Sequence, residues 1–216
     1  HTLASAYRAV SANKLQDAEH EFRSLLYMLV LTPAVDDTEA QRISELMGEC
    51  REYLIGISIE LERRALATSE PDQVARILEL AALFTHVQMQ PQHQMLALRI
   101  AMMEARRVGN LAMAGHFARR LIELQPPAKV VQVAQQIVSL SDRQPRDVVP
   151  VPSYSVHETD YVVCAGSHTL IPAGGANAVL DPLTGAKYLP EFRGTLCKVS
   201  GISEVGRFAT GLRNLA

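Results

Sequence analysis

The sequence predicts a mainly α-helical fold, an antiparallel α-helical array of α-solenoid hairpins followed by a small C-terminal β-rich domain. From residue 2 to about residue 141, apolar residues recur at steps of three and four, which is the period of an amphipathic helix. Proline and glycine interrupt this pattern at short intervals, which favours antiparallel helices joined by short turns. After residue 142 the helical period stops. The chain therefore divides into a predicted helical domain at 1–142, a proline-rich linker at 143–158 and a β-rich domain at 159–216.

The longest predicted helix begins near residue 37. Asp36 is followed three residues later by Glu39, which is the spacing of a capping box at a helix N-terminus. The apolar residues that follow lie on one stripe of a helix; they are Ile43, Leu46, Met47, Cys50, Leu54, Ile57 and Leu61. This stripe predicts a face that packs against neighbouring helices.

Boundary residues predict the helices that come next. Ser69 is a candidate N-cap, with Pro71 in the first turn of the helix that it starts. Pro91 begins another helix, which ends at Gly109. Asn110 is the candidate cap of the following helix, which the pair Pro126–Pro127 ends. A last helix is predicted over 128–142.

Two helical segments of the sequence resemble each other. Each has an alanine, an aromatic residue three or four positions later and a leucine seven positions later. The matched residues are Ala18, Phe22 and Leu25 in the first segment and Ala114, Phe117 and Leu121 in the second. The pattern is similar to the second helix of a tetratricopeptide-type hairpin, in which alanine permits close helix contact. Two unrelated amphipathic helices remain the alternative interpretation.

The helix predicted over 91–108 carries apolar residues on two sides. At about 100° per residue, one side carries Leu96, Ile100 and Met103, and the other carries Met95, Leu98 and Met102. One side serves the core of the chain. The second side is either buried as well or offered to a partner, and we take Met95, Leu98 and Met102 as the candidate partner-binding stripe.

Composition excludes several classes of protein. The formal net charge is −2 and the sequence pI is about 6.4, whereas nucleic-acid-binding domains normally have a basic face. No apolar run approaches the roughly 20 residues that a membrane-spanning helix needs. Three widely spaced cysteines do not form a disulfide framework, which favours a reducing, cytosolic compartment. The charged clusters ELERR (60–64) and EARR (104–107) are interpreted as solvated helix faces. Since the chain begins at His1 within helix-like sequence, we expect it to be a fragment of a longer polypeptide.

The C-terminal part contains the candidates for metal or thiol chemistry, namely Cys164, His168 and Cys197, with Asp181 as a weak fourth ligand. Zinc ligands usually come in closely spaced pairs, and neither cysteine has a C-x-x-C partner. His168 lies about 13 Å from Cys164 in an extended strand, unless a sharp turn brings the two together. We therefore expect structural cysteines, no catalytic residue, no metal and no cofactor. A zinc-dependent or cysteine-based enzyme is the alternative function.

Several stretches together resemble a known family. "CREY" at 50–53, "FARRLIEL" at 117–124 and "YLPEFRG" at 188–194 occur in the order found in the C-terminal domain of the α subunit of coatomer, the COPI vesicle coat. The resemblance spans nearly the whole chain. It implies a helical segment followed by a small β-rich segment, and a structural coat role without catalysis.

The resemblance also implies partners and a location. The expected partners are the ε subunit of coatomer, itself a tetratricopeptide-type protein, and the other coatomer subunits. The implied function is Golgi-to-ER retrograde and intra-Golgi vesicle transport, in the cytoplasm, peripherally on the Golgi membrane and on COPI-coated vesicles. Membrane contact is expected only indirectly, through the assembled coat, and no nucleic acid is expected. A free-standing helical-repeat scaffold remains a further alternative.

The chain departs from the family pattern at two positions. The resemblance implies cysteines at the places of Asp181 and Lys187, between the outer pair Cys164 and Cys197. Four cysteines in this arrangement imply a zinc knuckle, but Lys187 would repel a cation. We therefore expect this member to stabilise the segment by packing, and the expected core residues are Tyr188, Leu189, Phe192 and Leu196.

Overall fold

The computed structural model describes residues 2–66, 70–151, 161–172 and 178–208 of the chain. The chain divides into two compact units. The first unit consists of His1–Ser58 together with Asp160–Ala216, and the second unit is Ile59–Thr159. The C-terminal segment thus shares a unit with the first helices of the chain. The three-part division that composition predicts stays a prediction; its linker at 143–158 lies within the described residues only as far as residue 151.

The first unit contains α1 (Leu3–Ser11), α2 (Leu15–Leu31) and the N-terminal part of α3 (Asp37–Ala65). Helix α3 begins where it was predicted, because the Asp36 carboxylate accepts a hydrogen bond from the Glu39 amide at 2.8 Å. The aromatic rings of Phe22 and Tyr53 stack at 4.5 Å between centroids, and Tyr7 packs against Tyr53 at 5.3 Å. These rings form the core where α1, α2 and α3 meet.

The second unit contains the C-terminal part of α3, α4 (Pro71–Phe84), α5 (Pro91–Arg107), α6 (Leu111–Glu123) and α7 (Ala128–Arg143). Helices α4 to α7 pack in chain order as antiparallel neighbours, as the short proline- and glycine-containing turns predict. The candidate N-cap Ser69 lies outside the described residues. The predicted mainly α-helical fold with a short-stranded C-terminal region is confirmed.

Asn110 has a different role from the predicted one. Its side chain does not cap α6; the Asn110 carboxamide oxygen accepts hydrogen bonds from the backbone amides of Val148 and Val149, each at 2.8 Å. The Asp147 carboxylate instead accepts a hydrogen bond from the Met113 amide in the first turn of α6 at 3.1 Å. The first residues of the predicted linker are therefore bound to the N-terminus of α6.

The two similar helical segments each bury their alanine and aromatic residues. Ala18 and Phe22 in α2, and Ala114 and Phe117 in α6, have no exposed surface. The predicted Leu25 is only partly buried, whereas its neighbour Leu26 is fully buried. The spacing from alanine to aromatic residue is four in α2 and three in α6, so the leucine that faces the core also shifts by one position.

The C-terminal segment consists of short strands and turns. Strands β1 (Tyr161–Val163) and β2 (Leu170–Pro172) pair antiparallel, as do β3 (Val179–Leu180) and β4 (Lys187–Tyr188). A 3-10 turn follows at Pro190–Phe192. Of the expected core residues, Tyr188 is fully buried and Leu189 and Phe192 partly buried, but Leu196 is 62% exposed, so its placement in the core was wrong.

None of the helices in the described part of the chain is both long enough and apolar enough to cross a membrane.

Candidate functional site

The three cysteines are reduced and buried in the described part of the chain. Cys50 belongs to the apolar stripe of α3, where burial, with a smaller contribution from Glu49, raises the pKa of its thiol to about 12. The thiolate is the reactive form of cysteine, so Cys50 is a neutral core residue at physiological pH.

Cys164 lies at the end of β1, where its sulfur accepts hydrogen bonds from backbone amides. The donors are the amides of Gly166, at 3.4 Å from Sγ, and Leu189, at 3.2 Å. A tight turn follows, in which the His168 amide donates to the Cys164 carbonyl at 2.9 Å and His168 adopts a positive φ of 50°. The sharp turn between Cys164 and His168, which the sequence allowed as an alternative to an extended strand, is therefore present. A thiol with no exposed surface is, however, poorly placed to attack a substrate.

Cys197 has a different set of hydrogen-bond partners. Its sulfur lies 3.2 Å from the Tyr188 hydroxyl and accepts a hydrogen bond from the Ser200 amide at 3.4 Å. Burial, together with the contact with Cys197, raises the pKa of Tyr188 above its ordinary value. In the described residues, no three histidine, cysteine or acidic side chains lie close enough together to hold a metal ion. Cys164, His168 and Cys197 are therefore not brought together as a metal site.

The candidate partner-binding stripe on α5 lies mostly in the interior. Leu98 and Met102 are each 1% exposed within the second unit, whereas Met95 is partly exposed. The exposed side chains of α5 include Arg99, Met103 and Arg106, and Met103 is 44% exposed. Because side chains three or four residues apart on a helix are neighbours, Met95, Arg99, Met103 and Arg106 form one continuous outer face. Whether a partner binds α5 stays a prediction.

Sequence reasoning missed a buried acidic residue near the end of α3. Glu60, in the cluster that was interpreted as a solvated face, is 1% exposed. Its carboxylate accepts hydrogen bonds from Arg63 at 2.7 and 2.8 Å and from Arg64 at 2.7 Å. Arg63 also donates to Glu104 of α5 at 2.9 Å. The hydrogen bond between Arg63 and Glu60 is the main cause that raises the pKa of Arg63. The available signal was that ELERR and EARR each contain both carboxylates and guanidinium groups, which can pair across two helices.

Comparison with known proteins identifies the family of the chain. The model of the family described as the C-terminus of the coatomer (COPI) alpha subunit matches residues 1–216. The putative coatomer subunit alpha of Schizosaccharomyces pombe is 32% identical over 216 residues, which is 100% of this chain and 17% of that protein. Coatomer subunit alpha-1 of Arabidopsis thaliana is 33% identical over 210 residues, covering 97% of this chain and 17% of that protein.

A budding-yeast relative gives the same result. Coatomer subunit alpha of Saccharomyces cerevisiae is 32% identical over 212 residues, covering 98% of this chain and 17% of that protein. The chain thus spans about a sixth of the length of these relatives. Since the family model covers every residue and the relatives align over nearly the whole chain, this chain belongs to the family formed by the C-terminal part of the coatomer (COPI) alpha subunit.

Proposed function

We propose that this chain is a non-enzymatic assembly domain of the COPI coat that binds the ε subunit of coatomer. It acts in Golgi-to-ER retrograde and intra-Golgi transport, in the cytoplasm and peripherally on the Golgi membrane and on COPI-coated vesicles. It contacts the membrane only through the other subunits of the coat. The observation that carries this proposal is the match of the family model to all 216 residues.

The buried positions of the thiols support a role without catalysis. Each cysteine has at most 1% of its surface exposed, and the sulfurs of Cys164 and Cys197 act as hydrogen-bond acceptors. A nucleophilic cysteine needs access to substrate and a lowered pKa, whereas burial raises the pKa of Cys50. These settings stabilise the fold, which is what an assembly domain requires.

The outer face of α5 is the surface that we propose for the partner. It combines the apolar side chains of Met95 and Met103 with the guanidinium groups of Arg99 and Arg106. Methionine adapts its shape to a contact surface, and arginine is enriched at protein interfaces. The fitting partner surface has an apolar groove flanked by carboxylates. The buried Leu98 and Met102 of the candidate stripe act indirectly, by holding α5 in place.

Co-purification tests the proposed partner. The chain and the ε subunit of coatomer are purified separately, mixed at about 10 µM and separated by size-exclusion chromatography with light scattering. The expected result is a single peak with the mass of a one-to-one complex, since stable interfaces reach micromolar affinity or better. Two peaks at the masses of the separate proteins would contradict ε-subunit binding by this chain.

A further inference from the structure

One buried carboxylate lies at the centre of the C-terminal segment. Asp181 is 1% exposed, and both of its carboxylate oxygens accept hydrogen bonds. Oδ2 accepts from the backbone amide of Thr184 at 2.8 Å and from the Thr184 hydroxyl at 2.7 Å, and Oδ1 accepts from the Ser203 hydroxyl. A buried carboxylate is tolerated only where such donors replace water. These three bonds therefore hold the turn that contains Thr184 and the turn that contains Ser203 against Asp181.

The hydrogen bonds continue from Asp181 to Cys197. The Ser203 hydroxyl lies 2.7 Å from the Ser200 hydroxyl, and the Ser200 amide donates to the Cys197 sulfur. The Tyr188 hydroxyl contacts the same sulfur and accepts a hydrogen bond from the Lys198 amide at 2.9 Å. We call Asp181, Thr184, Tyr188, Cys197, Ser200 and Ser203 the Asp181 centre. It joins β3, β4 and the turn at 197–203.

The resemblance to the coatomer family implies a zinc knuckle at this place, and the side chains do not fit one. Zinc in a structural site takes four ligands, usually thiolates and imidazoles. Lys187 occupies one of the four positions at which the resemblance implies a cysteine. Its side chain is exposed, because side chains alternate between the two faces of strand β4 and that of Tyr188 points inward. The oxygens of Asp181, at another, are occupied by hydroxyl and amide donors. In the described residues, Cys164 and Cys197 also do not share a group of three or more histidine, cysteine or acidic side chains that could hold a metal ion.

We infer that the Asp181 centre replaces a metal ion in this chain, so that its C-terminal segment folds without zinc. A structural metal contributes its binding free energy to folding, and a chelator then denatures the domain. Here the free energy comes from the buried hydrogen bonds of a charged acceptor, which are stronger than those between neutral groups. This inference is independent of the partner that the chain binds.

Metal content and chelator sensitivity test the inference on the full chain. The chain is produced in zinc-supplemented medium, its zinc is measured by mass spectrometry, and its thermal unfolding is followed with and without EDTA. We expect fewer than about 0.1 zinc atoms per chain and the same melting midpoint in both conditions. About one zinc per chain, or a midpoint that EDTA lowers, would overturn the inference.

A pair of substitutions tests the role of the carboxylate. Asp181→Asn keeps the size of the side chain but replaces one acceptor oxygen with a donor, so we expect the melting midpoint to fall by about 5 °C. Glu191→Gln makes the same chemical change at an exposed position of the segment and is expected to leave the midpoint unchanged. An Asp181→Asn chain that melts like the unsubstituted chain would contradict the role of the centre. If that variant does not fold, the zinc content of the unsubstituted chain decides whether the inference holds.

Discussion

At the scale of single residues, Gly115 shows how closely α6 and α7 approach. A Cβ atom at Gly115 would overlap with the side chain of Ser141 in α7. Gly48 in α3 is also a helical glycine, but a Cβ there would meet only the Arg51 guanidinium, at 3.8 Å. Glycine weakens a helix relative to alanine, so close helix packing is the physical reason for Gly115.

These two glycines give a matched prediction. Gly115→Ala is expected to lower the free energy of unfolding by about 1 to 3 kcal/mol, because the added methyl group forces α6 and α7 apart. Gly48→Ala is expected to leave it unchanged or raise it by about 0.5 kcal/mol, because alanine favours the helix. Urea unfolding followed by circular dichroism measures both. Equal effects of the two substitutions would show that the α6–α7 contact does not need glycine.

His86 makes the stability of the second unit depend on pH. Burial, followed by the charge of Arg120 and the nearby His116, lowers its pKa from 6.5 to about 4. The unfolded chain therefore binds a proton at His86 at a higher pH than the folded chain does. The contribution of neutral His86 is complete above about pH 6.5 and is lost as the pH falls towards 4.

The expected result is a loss of about 1 to 2 kcal/mol of unfolding free energy between pH 7 and pH 5 that is due to His86 alone. A His86→Gln chain cannot take up this proton, so its urea midpoint should fall less over the same range. Measuring both chains at the two pH values isolates the contribution of the imidazole. Parallel losses in the two chains would exclude His86 as the source.

At the scale of helices and strands, α5 has an inner and an outer face with different roles. Leu98 and Met102 lie inside, while Met103 lies outside between Arg99 and Arg106. An aspartate at Leu98 would bury an unpaired charge and disrupt the packing of α5. A loss of partner binding in that variant would therefore not identify the interface. The outer face can be changed without this cost.

We expect Met103→Asp to weaken ε-subunit binding at least about 10-fold, because it places a carboxylate in the proposed apolar contact. Met28→Asp is the matched control, since Met28 is 50% exposed on α2 in the other unit. Isothermal titration calorimetry measures affinity, and circular dichroism checks that each variant keeps its helices. Unchanged affinity of a folded Met103→Asp chain would exclude the outer face of α5 from the interface.

The ends of the elements were predictable to different degrees. Helix α3 begins at Asp37 as predicted, because the Asp36–Glu39 cap is a contact within four residues. The start of α6 was predicted at the right place with the wrong capping residue. Its cap is Asp147, which is 34 residues from the amide that it binds, and no local pattern reveals such a contact. The burial of Glu60 was missed for the same reason, because Arg63 connects it to Glu104, 41 residues after Arg63.

At the scale of the whole molecule, the sequence predicted the fold class but made no prediction of which helices share a unit with the C-terminal segment. The change from helical to strand-like sequence after residue 142 is visible in composition. The structure nevertheless groups the C-terminal segment with the first 58 residues. Within that unit, the Tyr27 hydroxyl donates to the Ser200 carbonyl at 2.7 Å, and Arg51 donates to the Thr184 carbonyl at 3.0 Å. These bonds join residues more than 130 positions apart.

The amino-acid sequence was sufficient to predict the helical array, most helix boundaries and the family, because helical periodicity, end signals and family motifs are properties of short stretches. It also identified Cys164, Asp181 and Cys197 as residues that decide whether the C-terminal segment can bind zinc. The three-dimensional structure was needed to place Leu98 and Met102 in the interior and to show that Thr184 and Ser203 bind Asp181. Burial and hydrogen bonding between distant residues depend on which side chains meet in space, and that information lies in no single stretch of the chain.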